Sequence, residues 1–174
     1  GKPFAKGPYM GQTPPGPIAQ VFAPGLICNI GQRQWESHGT FSADGNTFCF
    51  MRGRGVFITE NTNQGWTTPE RIKSIPDNIW SPCLSPDANS IYFNYSYDPS
   101  KRYSLHRCVR TSQGWSLPQK LGPPFIVSGV FGGFSVAGNH SIYFTSDADH
   151  GGRVPNSRLQ WSFQFAPLVG NTWP

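Results

Sequence analysis

Charge is scarce in this chain. Lys, Arg, Asp and Glu make up 13% of its 174 residues, slightly fewer than the 14% that are Phe, Trp or Tyr. The formal net charge is +5, but the basic residues are scattered as Arg52 and Arg54, Arg71 and Lys73, Lys101 and Arg102, Arg107 and Arg110. No block of five or six like charges forms, which speaks against a nucleic-acid-binding arm, since phosphate recognition concentrates its cations. Long apolar runs are missing too. Nothing approaches the roughly 18 residues of a membrane-spanning helix, so no membrane span is expected. A signal peptide is not visible, but the sequence starts at Gly1 and that absence says nothing about compartment. Cysteine is sparse: Cys28, Cys49, Cys83 and Cys108 make no C-x-x-C pair, and no histidine stands at zinc-finger spacing from two of them. Cys49 and Cys108 lie in apolar, strand-like runs, where a free thiol behaves as a small buried hydrophobe; the alternative is a single disulfide.

Helical patterning is absent as well. No window keeps apolar residues at spacings of 3, 4 and 7 behind a capping residue. The chain is rich instead in 20 Gly and 17 Pro. With so many aromatics, that composition predicts short strands joined by tight turns, an all-β protein with a core of ordinary size.

A repeat organises those strands. "FSADGNTFCF" (41–50), "LSPDANSIYF" (84–93) and "FSVAGNHSIYF" (134–144) share a serine, a turn and a strand, anchored at Ser42, Ser85 and Ser135. A second landmark follows: "QGWTTPERI" (64–72), "QGWSLPQKL" (113–121) and a weaker "GNTWP" (170–174). Two landmarks recurring in step every 40–50 residues are the mark of propeller blades, one four-stranded sheet per repeat. In the first repeat "SHGTFS" is expected as the inner strand, 43–46 as a turn, "TFCFMR" and "GVFITE" as the second and third strands, and "WTTPERI" as the fourth. Asp and Asn bond to their own downstream backbone and Gly accepts positive φ, which specifies the turn. Proline cannot donate to a ladder, so Pro69 and Pro118 belong on an outer, edge strand. The Pro86-Asp87 pair is then a hairpin corner.

These motifs resemble the Pro-Asp repeat of TolB-like β-propellers, a WD40-like family. "GWTTP" and "GWSLP" are similar to its closing strand, and "VFAPGLI" (21–27) to its entry strand. The resemblance covers about residues 17–174. The expected organisation is a Gly/Pro-rich segment over 1–16, an entry strand at about 17–30, and blades at about 35–75, 80–122 and 129–174, the last incomplete. Propellers of this kind have six blades or more, so about three blades imply either a fragment of a longer protein or a half ring completed as a homodimer. The resemblance also implies a bacterial, periplasmic or extracellular setting.

Function must be sought in the loops. Connections from second to third strand lengthen along the chain as "MRGRG" (51–55), "NYSYDPSKRY" (94–103) and "TSDADHGGRVPNSR" (145–158). Loops that grow on one face of a rigid scaffold are where binding residues collect. They carry Arg52, Arg54, Tyr95, Tyr97, Asp98, Arg102, Tyr103, Asp147, Asp149, His150 and Arg153. Glu36 and His38 in the first inner strand, and Trp80 and Ser81 before the second repeat, are expected to line a central channel. "SDADHGG" (146–152) offers Asp147, Asp149 and His150 as metal ligands but lacks the rest of an EF-hand loop, so no metal or cofactor is expected. "GFSVA" (133–137) imitates a nucleophile elbow, but Ser135 falls at a strand-to-strand corner and position 137 is alanine. Asn94-Tyr95-Ser96 and Asn139-His140-Ser141 match glycosylation sequons. The expected role is a non-catalytic scaffold presenting a loop-decorated face to a protein, peptide or glycan. The alternative is the propeller portion of a larger hydrolase, of prolyl-oligopeptidase type or acting on carbohydrate, with its catalytic part outside this chain.

Overall fold

In "TFCFMR" and "SIYFNY" polar residues do not alternate with apolar ones, and successive side chains of a strand point to opposite faces. Such strands need cover on both sides. In the computed structural model, which describes residues 6–29, 31, 35–95, 104–122, 125, 131–146 and 162–168, that cover comes from stacking sheet on sheet. The first sheet contains β1 (Glu36–Phe41), β2 (Thr47–Arg52), β3 (Gly55–Thr62), β4 (Gly65–Trp66) and β5 (Glu70–Arg71), in the order β1-β2-β3-β4 with β5 also on β3. The second repeats the plan with β6 (Trp80–Leu84), β7 (Ser90–Tyr95), β8 (Ser104–Thr111), β9 (Gly114–Trp115) and β10 (Gln119–Lys120). The third shows β11 (Phe131–Val136), β12 (Ile142–Ser146) and β13 (Ser162–Ala166). All pairings between these strands are antiparallel. The protein is an all-β array of propeller-type blades, and no closed barrel forms among the described residues.

Each seam between sheets is a core. Cys49, Met51 and Val56 meet Leu84, Ile91, Phe93 and Cys108 across the first seam, with Ile72, Ile75 and Ile79 of the connector filling it. Tyr92 and Leu105 on the opposite face of the second sheet meet Ile142, Phe144 and Ala166, with Leu121 and Phe125 between. Alternate residues of one strand, Ile91 and Phe93 against Tyr92, therefore serve two different cores. The inner strands run side by side: Cys83 in β6 is within hydrogen-bonding reach of the Thr40 hydroxyl in β1 and the Val136 backbone in β11. At the turn end the sheets are tied by Ala43 N–H donating to Pro86 O at 2.7 Å, and by Arg110 Nη1 on Glu60 Oε1 at 2.6 Å.

The serine-aspartate corner explains itself in hydrogen bonds. Ser42 Oγ donates to Asp44 Oδ1 at 2.6 Å and accepts from Thr47 N–H at 2.9 Å, while Asp44 Oδ1 also accepts from Asn46 N–H at 3.0 Å. Ser85, Asp87, Asn89 and Ser90 reproduce this at 2.5, 2.8 and 3.1 Å. Donation by Ser42 and the Asn46 amide holds the Asp44 carboxyl below its ordinary range. Desolvation opposes the same effect at Asp87, yet Ser85 and Asn89 still leave it lowered. Ser85 is wholly buried, so Ser85→Ala strips a buried amide of its acceptor. An expected loss of about 1–3 kcal/mol is read as a lower urea midpoint with an unchanged slope.

Three local expectations are corrected. The third corner is anchored at Ala137, not Ser135: Ala137 N–H donates to Ser141 O, and Asn139 takes the aspartate's place by accepting from Ser141 N–H at 3.1 Å. Its hairpin is one residue shorter, which slides the pattern by two, and Ser135 lies inside β11 opposite Tyr143. The fourth strand is not continuous but split into two-residue pieces, because Pro69 and Pro118 interrupt donation to the ladder. No entry strand forms over 17–29. Residues 23–28 coil into a turn closed by a Pro24–Cys28 bridge, with Ala23 and Gly25 at φ 42° and 84°, because Pro17 and Pro24 carry no N–H to donate. The expected closing strand at 170–174 lies outside the described residues.

Candidate functional site: the inner-strand rim

Strand direction places the starts of β1 and β6 and the β2–β3 turn at one end, away from the serine-aspartate corners. At this end both inner strands are bulged. Register jumps between Ser37 and Thr40 opposite β2, and between Trp80 and Cys83 opposite β7. In each bulge the first extra residue is left-handed: His38 at φ 52° and Ser81 at φ 51°. β11 carries a further bulge between Phe131 and Phe134. A bulge re-aims a side chain and breaks the flat edge that another strand could pair with. Left-handed backbone in a residue other than glycine costs on the order of 1–3 kcal/mol and collects at functional sites. Gly39, next to His38, has a packing reason: a Cβ there would lie 2.5 Å from the ring of Phe48.

The side chains around these bulges are aromatic and polar. Trp35 and Trp80 are 50% and 48% exposed. Trp35 is fastened by its carbonyl, which accepts from Gly53 N–H at 2.9 Å. Ser37 Oγ and His38 Nδ1 lie 2.8 Å apart, and His38 is exposed. Ser81 is half-buried at the foot of Trp80. Trp35 had no sequence signal of its own; its position one residue before an inner strand, two from the register of Trp80, is what could have found it.

The remaining expected residues separate. Arg54 is exposed in the β2–β3 turn at this end. Tyr95, ending β7, is half-buried with its ring edge-on to His106 at 5.5 Å. Arg52 and Glu36 turn away from the inner edge. Their side chains are 13% and 14% exposed and pair at 3.4 Å. Arg52 Nη2 donates to the carbonyls of Leu26 and Ile27 at 3.0 and 2.8 Å, and Glu36 Oε1 accepts from Asn29 N–H at 3.3 Å. The guanidinium also lies 5.2 Å from the rings of Phe50 and Phe57. These two residues staple the N-terminal segment to the first sheet. Tyr97, Asp98, Arg102, Tyr103, Asp147, Asp149, His150 and Arg153 lie outside the described residues.

Other chemistry can be located. Among the described residues no group of three or more His, Cys, Asp or Glu is placed to hold a metal ion, and no helix is long and apolar enough to cross a membrane. The four cysteines are free thiols. Burial pushes Cys108 up to about 12 and raises Cys49 and Cys83 as well, which makes them poor nucleophiles. Asn94 of the first sequon is 2% exposed, out of reach of a glycosylating enzyme in the folded chain, whereas Asn139 is on the surface. At the opposite end, an open depression of about 410 Å³ is lined by Thr62, Asn63, Gln64, Gly65 and Thr67. No model of a known protein family matches the sequence, and no curated protein does.

Proposed function

We propose that the chain is a non-catalytic binding module whose inner-strand rim receives a protein, peptide or glycan. The observation that carries this reading is the matched pair of left-handed bulge residues, His38 and Ser81, at the same register of adjacent sheets, each with a half-exposed tryptophan within the three preceding residues. Backbone cost repeated at one register is a feature that packing alone does not require. Indole rings supply large contact area at little conformational cost, and such residues dominate recognition energetics. The serine-aspartate corners and the GW-x-x-P segments support a TolB-like propeller of bacterial, extracytoplasmic origin. Peptide and oligosaccharide arrays supply a probe, and tryptophan fluorescence then titrates it. Trp80→Ala is expected to weaken binding of that probe by about tenfold or more with the circular dichroism spectrum unchanged. Equal binding by Trp80→Ala and Trp35→Ala would move the site off the rim.

A further inference from the structure

The three sheets present the same kind of face toward the start of the chain, but among the described residues only two of those faces meet a sheet. Ile91 and Phe93 in β7 are covered by the first sheet, and Ile142 and Phe144 in β12 by the second. The corresponding Phe48 and Phe50 in β2, with Trp66, are covered by residues 6–29. Met10, Ala23 and Ile27 are buried there, with Phe22, Leu26 and Cys28 packed around them. This segment occupies the position of a preceding blade without being one.

Its attachment differs in kind from that of a sheet. Among the described residues, its hydrogen bonds to the first sheet come from the side chains of Arg52 and Glu36. Its backbone is left-handed at Gly7, Tyr9, Met10, Gly11, Ala23 and Gly25. Three of those six are not glycine and carry a conformational cost. Its outer side keeps Ile18 at 77% and Val21 at 53% exposed. Apolar contact and three side-chain hydrogen bonds from Arg52 and Glu36 hold it down against its own strain.

At the other end of the array, Tyr143 in β12 holds the register position of Cys49 and Tyr92, the residues that reach forward into the next seam. Cys49 and Tyr92 are fully buried there, whereas Tyr143 is 45% exposed. We propose that segment 6–29 is a displaceable cap on a seam between two copies of this chain. With the cap off, the Phe48–Phe50–Trp66 face of one copy receives the third sheet of the other, through Tyr143. The junction continues the pattern of the two seams already inside the chain, a forward-facing strand residue against a backward-facing pair. A joint of this kind is head-to-tail, and its rotation sets whether the copies close on each other or continue as a chain.

Light scattering on the full chain tests the proposal, with two variants that loosen the cap by different means. Arg52→Ala removes the two carbonyl contacts and the Glu36 pair. Ala23→Val puts a β-branched side chain at a buried left-handed residue of the cap and leaves the sheets untouched. Each is expected to raise the dimer-forming equilibrium by about tenfold or more, with chymotryptic cleavage at Phe22 or Leu26 accelerated in parallel. Adding Tyr143→Ser to either variant is expected to restore the monomer, with circular dichroism unchanged. If Arg52→Ala does not fold, Ala23→Val decides alone. A wild-type dimer with its cap protected, a cap that stays protected in the folded variants, a released cap without dimers, or a dimer indifferent to Tyr143→Ser each overturns it.

Discussion

Phe93→Ala is expected to cost about 3–5 kcal/mol, the range for deleting a buried aromatic ring and leaving most of its cavity. Phe93 is fully buried in the first seam, among Cys49, Met51, Ile75, Ile79 and Leu84. The seam cannot collapse onto the gap, because its walls are two hydrogen-bonded sheets whose registers are set on their far sides. Such a loss takes much of the roughly 5–15 kcal/mol that a domain has in total. Urea unfolding followed by tryptophan fluorescence should show a greatly lowered midpoint, or no folded baseline. Phe41→Ala, at a ring 42% exposed, is the comparison and should lose far less. A Phe93→Ala chain destabilised by under about 1 kcal/mol would mean the seam is loosely packed, against the close packing that core burial implies.

Acid should weaken the fold well before its carboxylates titrate. His106 is fully buried on β8, its ring parallel to that of Phe93 at 6.0 Å and edge-on to Tyr95 at 5.5 Å. Burial holds its pKa below the ordinary value, Lys120 on the neighbouring strand adds to this, and the Ser104 carbonyl 3.0 Å from Nδ1 opposes it. A histidine with a depressed folded pKa is neutral in the folded chain while the unfolded chain takes up a proton. Stability therefore falls as pH drops through about 6.5 and keeps falling until the folded pKa is reached. The lowered aspartates Asp44 and Asp87 act in a separate window. Their contribution is complete above about 4 and is lost below it as the folded chain releases its advantage. Chemical denaturation between pH 7 and 5 should show a falling free energy that flattens in His106→Leu. The same slope in the variant would assign the acid sensitivity elsewhere.

Strand existence, turn position and repeat period were legible from the sequence because they are local. Pro86-Asp87 and Asp44-Gly45-Asn46 bond their own backbone, and that chemistry needs no tertiary partner. The uninterrupted apolar character of "TFCFMR" likewise demanded cover on both faces of its sheet. The third corner misled because Ser135 looks like the anchor, while the hairpin closes at Ala137; a one-residue deletion is visible only in the hydrogen bonds. The entry strand was misjudged over 21–27 because apolar residues suit a strand and a buried coil equally well.

Candidate loop residues could be picked out from the sequence, but not the direction in which each side chain points. Arg52 stands in a loop-bordering position, but the direction of its side chain is set by strand alternation. It shares a face with Phe50, so it reaches the N-terminal segment and not the inner edge. Ser81 carries no left-handed signature in sequence, and the enrichment of histidine at positive φ does not single out His38 among the chain's four histidines. Their conformation shows only once the register on both sides of each bulge is known. Short-range bonding thus determined where this chain turns and which strands it makes. Only the stacking of those sheets decided which tryptophans reach solvent and which charges are consumed as staples, because exposure belongs to a surface and no surface exists until the seams have formed.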